Sequence, residues 1–162
     1  MKRKVMLLVA AGALVLVAVA SAAVIRGTDG PDTINGTSDG DLIYARGGND
    51  NVRSHAGNDV VFAGQGSDVV RSGPDNDVIY AGHGNDVTWP GAGADVQYGG
   101  PGNDVLHALA NDNQRDILNC GRGYDVAEVI RNDPVTFNGC EQIIRLSPEE
   151  AAAKATANDD NG

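Results

Sequence analysis

Aromatic side chains are scarce in this 162-residue chain, where two Phe, four Tyr and one Trp make up 4% of the residues. The chain also contains 22 glycines, so it has too few large side chains to build a thick hydrophobic core. We therefore expect the fold to depend on a cross-link or on bound metal ions. The length leaves room for one domain with short appendages.

Histidine and cysteine, the side chains that zinc and copper sites use, occur only three and two times. His55, His83 and His107 are spread along the chain, and the sequence has no His-Glu-x-x-His motif. We therefore predict that the protein is not an enzyme.

Basic residues are outnumbered, with 12 Lys and Arg against 22 Asp and Glu and a net charge of −10. Because nucleic-acid affinity comes from neutralising phosphates with Lys and Arg, we expect no nucleic-acid partner. A chain this acidic repels itself and is expected to stay disordered without counter-ions. Cation binding would then supply the free energy of folding.

The most regular feature that the sequence does contain is an aspartate repeated every nine residues without interruption. Its members are Asp32, Asp41, Asp50, Asp59, Asp68, Asp77, Asp86, Asp95 and Asp104. A short fixed period predicts stacked units, which bring each aspartate beside its relatives. Stacked carboxylates repel one another unless something positive lies between them, so the repeat predicts a row of bound cations.

Each nine-residue unit, numbered so that the aspartate is position 6, reads as a turn followed by a short strand. Position 4 is Gly in seven units and Asp39 or Asp75 in the other two, and both residue types tolerate a left-handed backbone. Positions 7 to 9 predict a three-residue strand with an apolar residue at position 8 in most units, as at Ile34 and Val61. Two units make a coil of eighteen residues, and stacked coils give two parallel sheets across a thin core.

The units resemble the RTX, or hemolysin-type calcium-binding, nonapeptide of consensus G-G-x-G-x-D-x-U-x, continuously over residues 27–107 and more loosely over 111–128. The resemblance implies an all-β, right-handed parallel β-roll, a two-sheet solenoid with 18 residues per coil, that binds several Ca²⁺ ions. In that family an aspartate and backbone carbonyls of one turn share a calcium with the turn one coil further on. The implied metal ligands are Asp32, Asp50, Asp68, Asp86 and Asp104 on one edge and Asp41, Asp59, Asp77 and Asp95 on the other. Asp116 and Asp125, again nine apart, are second-rank candidates.

The donor chemistry agrees with calcium, which takes six to eight oxygen ligands in irregular geometry. Magnesium remains an alternative, although it prefers to keep its waters. Some units depart from the consensus. Thr28, Thr37, Arg46 and His55 stand at position 2, where Gly is expected, so the first sites are predicted to be weaker.

Two of the nine core positions are polar, namely Thr88 and Gln97. A buried amide needs hydrogen-bond partners in an otherwise apolar stack, so we expect a looser or locally wet core around them.

The first residues form a separate segment. Lys2-Arg3-Lys4 precedes an apolar run over residues 5–20, which is followed by small residues typical of a signal-peptidase cleavage site. This pattern predicts a secretory signal peptide over residues 1–22. Cleavage after Ala22 or after Ala20 agrees with the Ala-x-Ala cleavage pattern. The alternative is an uncleaved N-terminal anchor. Cleavage predicts a secreted, extracellular protein without a stable membrane span. Many RTX proteins are instead exported by an uncleaved C-terminal signal, and this leader departs from that pattern.

The C-terminal part carries both cysteines, Cys120 and Cys140, which fit an exported chain and predict one disulfide. A reactive thiol pair is the alternative, but it lacks the Cys-x-x-Cys spacing. Residues 23–107 are thus assigned to the calcium-binding roll and residues 108–146 to a degenerate last coil with a disulfide-bridged cap. Residues 147–162 are assigned to a short helix, started by Ser147 and Glu150, and a disordered acidic tail.

One row of outward side chains is aromatic, at Tyr44, Phe62, Tyr80 and Tyr98. In one interpretation the ladder only stiffens its own sheet. In the other it is a surface for self-association, for a glycan or for another cell-surface partner. The sequence therefore predicts a secreted protein that binds calcium through tandem repeats and folds when it does so, with an interaction module as the alternative.

Overall fold

The computed structural model describes residues 22–159, and these residues contain fourteen β-strands and one α-helix. The strands are β1 (Val24–Arg26), β2 (Thr33–Asn35), β3 (Leu42–Gly47), β4 (Asn51–Arg53), β5 (Val60–Gln65), β6 (Val69–Pro74), β7 (Val78–His83), β8 (Val87–Ala92), β9 (Val96–Pro101), β10 (Val105–Ala108), β11 (Asp116–Arg122), β12 (Val126–Ile130), β13 (Val135–Asn138) and β14 (Gln142–Leu146), and the helix is α1 (Pro148–Asp159). Residues 1–21 of the predicted signal peptide (residues 1–22) and the end of the predicted tail, residues 160–162, lie outside the described residues.

The strands alternate between two parallel sheets. The odd-numbered strands form one seven-stranded sheet in the order β1-β3-β5-β7-β9-β11-β13, here called sheet A, and the even-numbered strands form sheet B in the order β14-β12-β10-β8-β6-β4-β2. Val60 pairs with Val78 in sheet A and Val69 with Val87 in sheet B, so one coil takes 18 residues. The predicted two-sheet parallel solenoid is confirmed.

The core is thin, because each strand sends alternate side chains inward between the two sheets. Position 8 supplies one buried row, as at Ile43 and Val61. Position 1 supplies a second, since Ala45, Ser54 and Ala63 are also fully buried. Small residues at position 1 are thus core residues and not only turn residues.

The strands in the middle of the roll are longer than predicted, with six residues in each of β5 to β9. The prediction of three-residue strands is wrong there because pairing continues into the next unit, where Gly64 pairs with Gly82 and Gln65 with His83. Stacked turns prolong it further, since Gly66 N–H donates to His83 O at 2.8 Å. The turns therefore belong to the hydrogen-bonded ladder.

Thr88 and Gln97 are fully buried and bind each other, with the Thr88 hydroxyl donating to Gln97 Oε1. The Gln97 amide donates to His107 O at 2.7 Å. These polar residues lie between two apolar clusters, one over residues 25–79 and one over residues 106–129. The side chains therefore find the partners they need inside the stack, and the looser or locally wet core expected around them stays a prediction.

The C-terminal part continues the roll instead of closing it with a separate lid. Strands β11 to β14 add paired strands to both sheets, and a disulfide joins Cys120 in β11 to Cys140, as predicted. Helix α1 begins with reciprocal bonds between Ser147 and Glu150, which form a capping box.

Helix α1 packs against β12 and β14. Lys154 of the helix binds Glu128, whose other carboxylate oxygen lies 3.0 Å from His107 Nδ1. Burial lowers the pKa of His107 to about 3. Within residues 22–159 no helix is long and apolar enough to cross a membrane.

Candidate metal centre

The repeat aspartates form two rows, each at the point where a turn meets the first residue of a strand. Asp41 immediately precedes β3 and Asp59 precedes β5, so the chain delivers one carboxylate to the same place in every half-coil. Ladder one contains Asp32, Asp50, Asp68, Asp86, Asp104 and Asp125, and ladder two contains Asp41, Asp59, Asp77, Asp95 and Asp116. The nine repeat aspartates and both second-rank candidates thus lie in the two rows.

One oxygen of each carboxylate is used to join neighbouring coils. The backbone N–H of Asp50 donates to Asp68 Oδ1 at 2.8 Å, and that of Asp59 donates to Asp77 Oδ1 at 2.8 Å. The same bond recurs along both ladders, at distances from 2.7 Å for Asp41 to 3.0 Å for Asp95. Oδ1 therefore has a structural role as an acceptor between coils, and Oδ2 takes no part in that contact.

That second oxygen is buried and unpaired through most of the roll. Oδ2 has no hydrogen-bond partner among the described residues in Asp50, Asp59, Asp68, Asp77, Asp86, Asp95, Asp104 and Asp125. These side chains are at most 2% exposed. A buried carboxylate oxygen without a partner is costly, so the ladders are stable only if a proton or a cation compensates the charge.

The first aspartate of each ladder is different. Asp32 Oδ2 accepts from Thr28 N–H at 2.6 Å and from the Thr28 hydroxyl at 3.0 Å. Thr37 N–H donates in the same way to Asp41 Oδ2 at 2.6 Å. The threonines at position 2 therefore occupy the oxygen that is free further along. The weaker binding predicted for the first coils stays a prediction, with this contact as its physical basis.

Backbone oxygens approach the free carboxylate oxygens. The position that a Cβ on Gly99 would take lies 2.5 Å from Asp104 Oδ2 and 2.3 Å from Cys120 O, so oxygens of two successive coils converge there. Asp32 Oδ2 and Ala45 O converge similarly beside Gly27, although there Thr28 already donates to the carboxylate oxygen. Over residues 22–159 no three His, Cys, Asp or Glu side chains form a metal-binding group. A cation here would thus combine carboxylates with backbone carbonyls, a donor set that suits calcium.

Burial disfavours the ionised form of these carboxylates. It raises the pKa of Asp77 to about 8, an effect that donation from the Asp59 N–H partly opposes and neighbouring carboxylates increase. For the same leading reason the pKa is raised to about 7 in Asp86 and Asp116 and to about 6 in Asp50, Asp95 and Asp104. The metal-free roll therefore favours protonation, and a bound cation would favour the ionised form.

Sequence reasoning missed two further rows of contacts, one beside each aspartate ladder, made by asparagine at position 5. Asn58 Oδ1 accepts from Asn76 N–H at 2.9 Å, and Asn76 Oδ1 accepts from Ala94 N–H at 2.8 Å. Asn85 and Asn103 make the same contact in the other row, with 2.8 Å between Asn103 N and Asn85 Oδ1. The signal was the recurrence of Asn at spacings of 18 residues.

It also missed Glu141, which ends ladder one. Its Oε2 accepts from Asp125 N–H at 2.8 Å. The period gave no signal for Glu141, because it lies 16 residues from Asp125 and is not an aspartate.

Residues 36–40 match the letters of the Gly-x-Ser-x-Gly motif of hydrolases. In the structure they lie between β2 and β3. The motif requires a strand that leads directly into a helix, and this segment leads into another strand. The match therefore does not indicate a catalytic serine.

The expected aromatic ladder is present on the outer face of sheet A. Ring centroids are 5.1 Å apart for Tyr44 and Phe62, 4.7 Å for Phe62 and Tyr80, and 4.8 Å for Tyr80 and Tyr98, with planes within 7° of parallel. The rings cover one another's faces, and Arg26 covers the outer face of Tyr44. Their edges are therefore the parts turned to the surroundings.

The family model for the RTX calcium-binding nonapeptide repeat (4 copies) matches residues 26–61, 62–97 and 98–127, which is more than half of the chain. Comparison with curated proteins finds no match.

Proposed function

Because the chain belongs to the RTX calcium-binding nonapeptide repeat family, we propose that it is a secreted protein whose two aspartate ladders hold a row of Ca²⁺ ions. The observation that carries the proposal is the set of eight buried Oδ2 atoms without partners in the described residues. They recur once per half-coil, as the ions would. The role is binding and structural, not catalytic.

Calcium fits the donor set better than other metals do. The ladders offer carboxylate and backbone oxygens, whereas zinc and copper favour nitrogen and sulfur. Magnesium needs near-octahedral geometry and gives up its waters reluctantly, which suits a ladder of fixed backbone oxygens poorly.

Folding of the roll is coupled to calcium in this proposal. Without the ion, a folded chain must either protonate its buried aspartates or tolerate unpaired buried charge. Metal binding then becomes part of the folding free energy. Extracellular calcium modules typically bind at roughly 10⁻⁴ to 10⁻³ M, so the chain would be loose inside the cell and rigid outside it.

A calcium titration of residues 23–162, followed by far-ultraviolet circular dichroism with magnesium as control, tests this function. The expected result is a cooperative gain of β signal with calcium and none with magnesium at the same concentration. Full β signal in chelator at neutral pH, unaffected by calcium, would refute the proposal.

An interaction surface on sheet A is the second candidate function. Its outward rows contain no carboxylate, although the chain carries a net charge of −10. They are Val24, Leu42, Val60, Val78, Val96, Ile117 and Thr136, and Arg26, Tyr44, Phe62, Tyr80, Tyr98, Asn119 and Asn138. An acid-free, largely apolar face supports contact with a second copy or with another surface partner.

Replacing Phe62 and Tyr80 with Ser tests this candidate by sedimentation velocity in calcium. An interaction module loses self-association while it still binds calcium, whereas a scaffold without a partner behaves as before. Val69→Ser with Val87→Ser, on the outer face of sheet B, is the matched control.

A further inference from the structure

Ladder one continues beyond the last aspartate. Asp125 N–H donates to Glu141 Oε2 at 2.8 Å, the same distance at which Asp104 N–H donates to Asp125 Oδ1. Glu141 therefore makes the contact that the next aspartate would make.

Strand register gives the same assignment independently of that bond. Val105 pairs with Val126, and Val126 pairs with Gln142. The residue before each paired position is Asp104, Asp125 and Glu141 in turn. Gln142 N–H donates to Asp125 O at 3.0 Å, as Val126 N–H donates to Asp104 O at 2.8 Å. Glu141 thus occupies the ladder position of an aspartate.

The neighbour of Glu141 has an oxygen that needs a ligand. Asp125 is fully buried, and its Oδ2 has no hydrogen-bond partner in the part of the chain that the structure describes. Each step within the ladder likewise places a buried carboxylate beside a second one, although Glu141, unlike the aspartates, is exposed and so closes the ladder at the surface. A divalent cation between them would compensate both charges.

We propose that Asp125 and Glu141 hold a terminal Ca²⁺ at the C-terminal end of ladder one. Glu141 lies outside the matched repeats, which end at residue 127. The proposal rests on the proposed calcium function and adds a ligand that the nine-residue period does not identify.

The disulfide fixes the segment that carries Glu141. Cys140 immediately precedes this glutamate and is bonded to Cys120 in the preceding coil. Reduction releases Cys140 from β11 and gives the Glu141 backbone more freedom. Calcium affinity of the terminal site is therefore sensitive to thiols, whereas the sites between Asp50 and Asp104 are not.

Isothermal titration of the full oxidised chain with CaCl₂ tests the terminal site, comparing Glu141→Gln with Glu149→Gln. Glu149 is an exposed residue of α1, so its substitution makes the same charge change away from the ladder. We expect E141Q to lose one bound ion, or to bind that ion at least tenfold more weakly, and E149Q to match the parent. Reducing the parent should weaken binding of the same single ion.

Equal stoichiometry and affinity in E141Q and the parent would overturn the terminal site while leaving the ladder function intact. A parent that binds no calcium would overturn both proposals. If E141Q does not fold in calcium, Glu141→Asp decides, because it keeps a carboxylate on a shorter side chain. A selective weakening of one ion in E141D supports the site, and unchanged binding contradicts it.

Discussion

From Asp50 to Asp104, each repeat aspartate accepts a backbone N–H from another coil at Oδ1, while its Oδ2 has no partner among the described residues. An Asp→Asn change keeps an acceptor for the N–H and removes the charge. The change should therefore stabilise the fold without calcium and destabilise it with calcium. A purely structural residue would show no such change of sign.

For Asp77→Asn we expect more β signal than the parent in chelator at pH 7.5, because the folded parent must take up a proton at Asp77, whose pKa is raised to about 8, whereas Asn needs none. In calcium titrations the same variant should need a several-fold higher concentration to fold, since it supplies one carboxylate fewer. Circular dichroism measures both. Asp29→Asn, exposed and outside the ladders, is the control and should change neither. A variant that is less stable in both conditions would contradict the ligand role.

Glycine at position 4 is required only where coils stack in the left-handed conformation. Gly102 has φ of +151°, and a Cβ there would lie 1.6 Å from Gly84 O. Gly30 holds the same position in the first unit, without a left-handed φ and with Thr28 Oγ1 as its nearest neighbour at 3.9 Å.

Gly102→Ala should therefore destabilise the calcium-loaded roll by on the order of 2 kcal/mol or more, from backbone strain and the clash with Gly84 O. Gly30→Ala should leave the stability within about 0.5 kcal/mol of the parent. Urea unfolding in saturating calcium measures both. Equal midpoints for the two variants would mean that the turns relax without cost.

At the scale of strands, the polar pair interrupts the apolar core between β8 and β9. Thr88 donates to Gln97 and Gln97 donates to His107 O, so the pair links the two sheets by hydrogen bonds. Losing Thr88 leaves the buried Gln97 amide oxygen unsatisfied, whereas replacing both removes that need but leaves His107 O without the Gln97 donor.

Thr88→Val alone should cost roughly 1–3 kcal/mol of unfolding free energy in calcium. Combining it with Gln97→Leu should recover only part of that loss, because the amide that needs Thr88 is gone but His107 O loses its donor. Urea unfolding of the two single variants and the double variant forms a complete cycle. Additive losses in the double variant would show that the pair is not coupled.

At the scale of the whole molecule, the chain is acidic and the carboxylates of its two ladders are buried. The folded pKa values of Asp77, Asp86 and Asp116 are raised to between about 7 and about 8. Their value in an unfolded chain is close to 3.8. The metal-free folded state therefore binds more protons than the unfolded state between these limits.

In calcium-free buffer, β signal should therefore increase as the pH is lowered from 8.5 to 5. The destabilising contribution is full above the folded pKa, declines as the pH falls through it, and is gone below about 3.8. In calcium the trend reverses, because protons compete for the same carboxylates and weaken binding. Circular dichroism of the calcium-stripped chain and calcium titrations across this range test both trends. A calcium-free signal that is independent of pH would contradict the buried carboxylates.

The sequence by itself determined the coil length, the two parallel sheets, both aspartate rows, the aromatic ladder and the disulfide pair. A strict period carries this information, because equal spacing places equivalent residues above one another whatever their contacts. Asp116 and Asp125 could be found in the same way despite an insertion, since they keep the nine-residue spacing between them.

Tertiary structure alone decided what the spacing does not encode. It showed which aspartate oxygen is free, because Oδ1 is taken by a backbone N–H from another coil. It paired Thr88 with Gln97, which belong to different sheets, and it aligned Glu141 with Asp125 through strand register. These contacts depend on how coils stack and where side chains point, so a period read along one chain cannot reveal them.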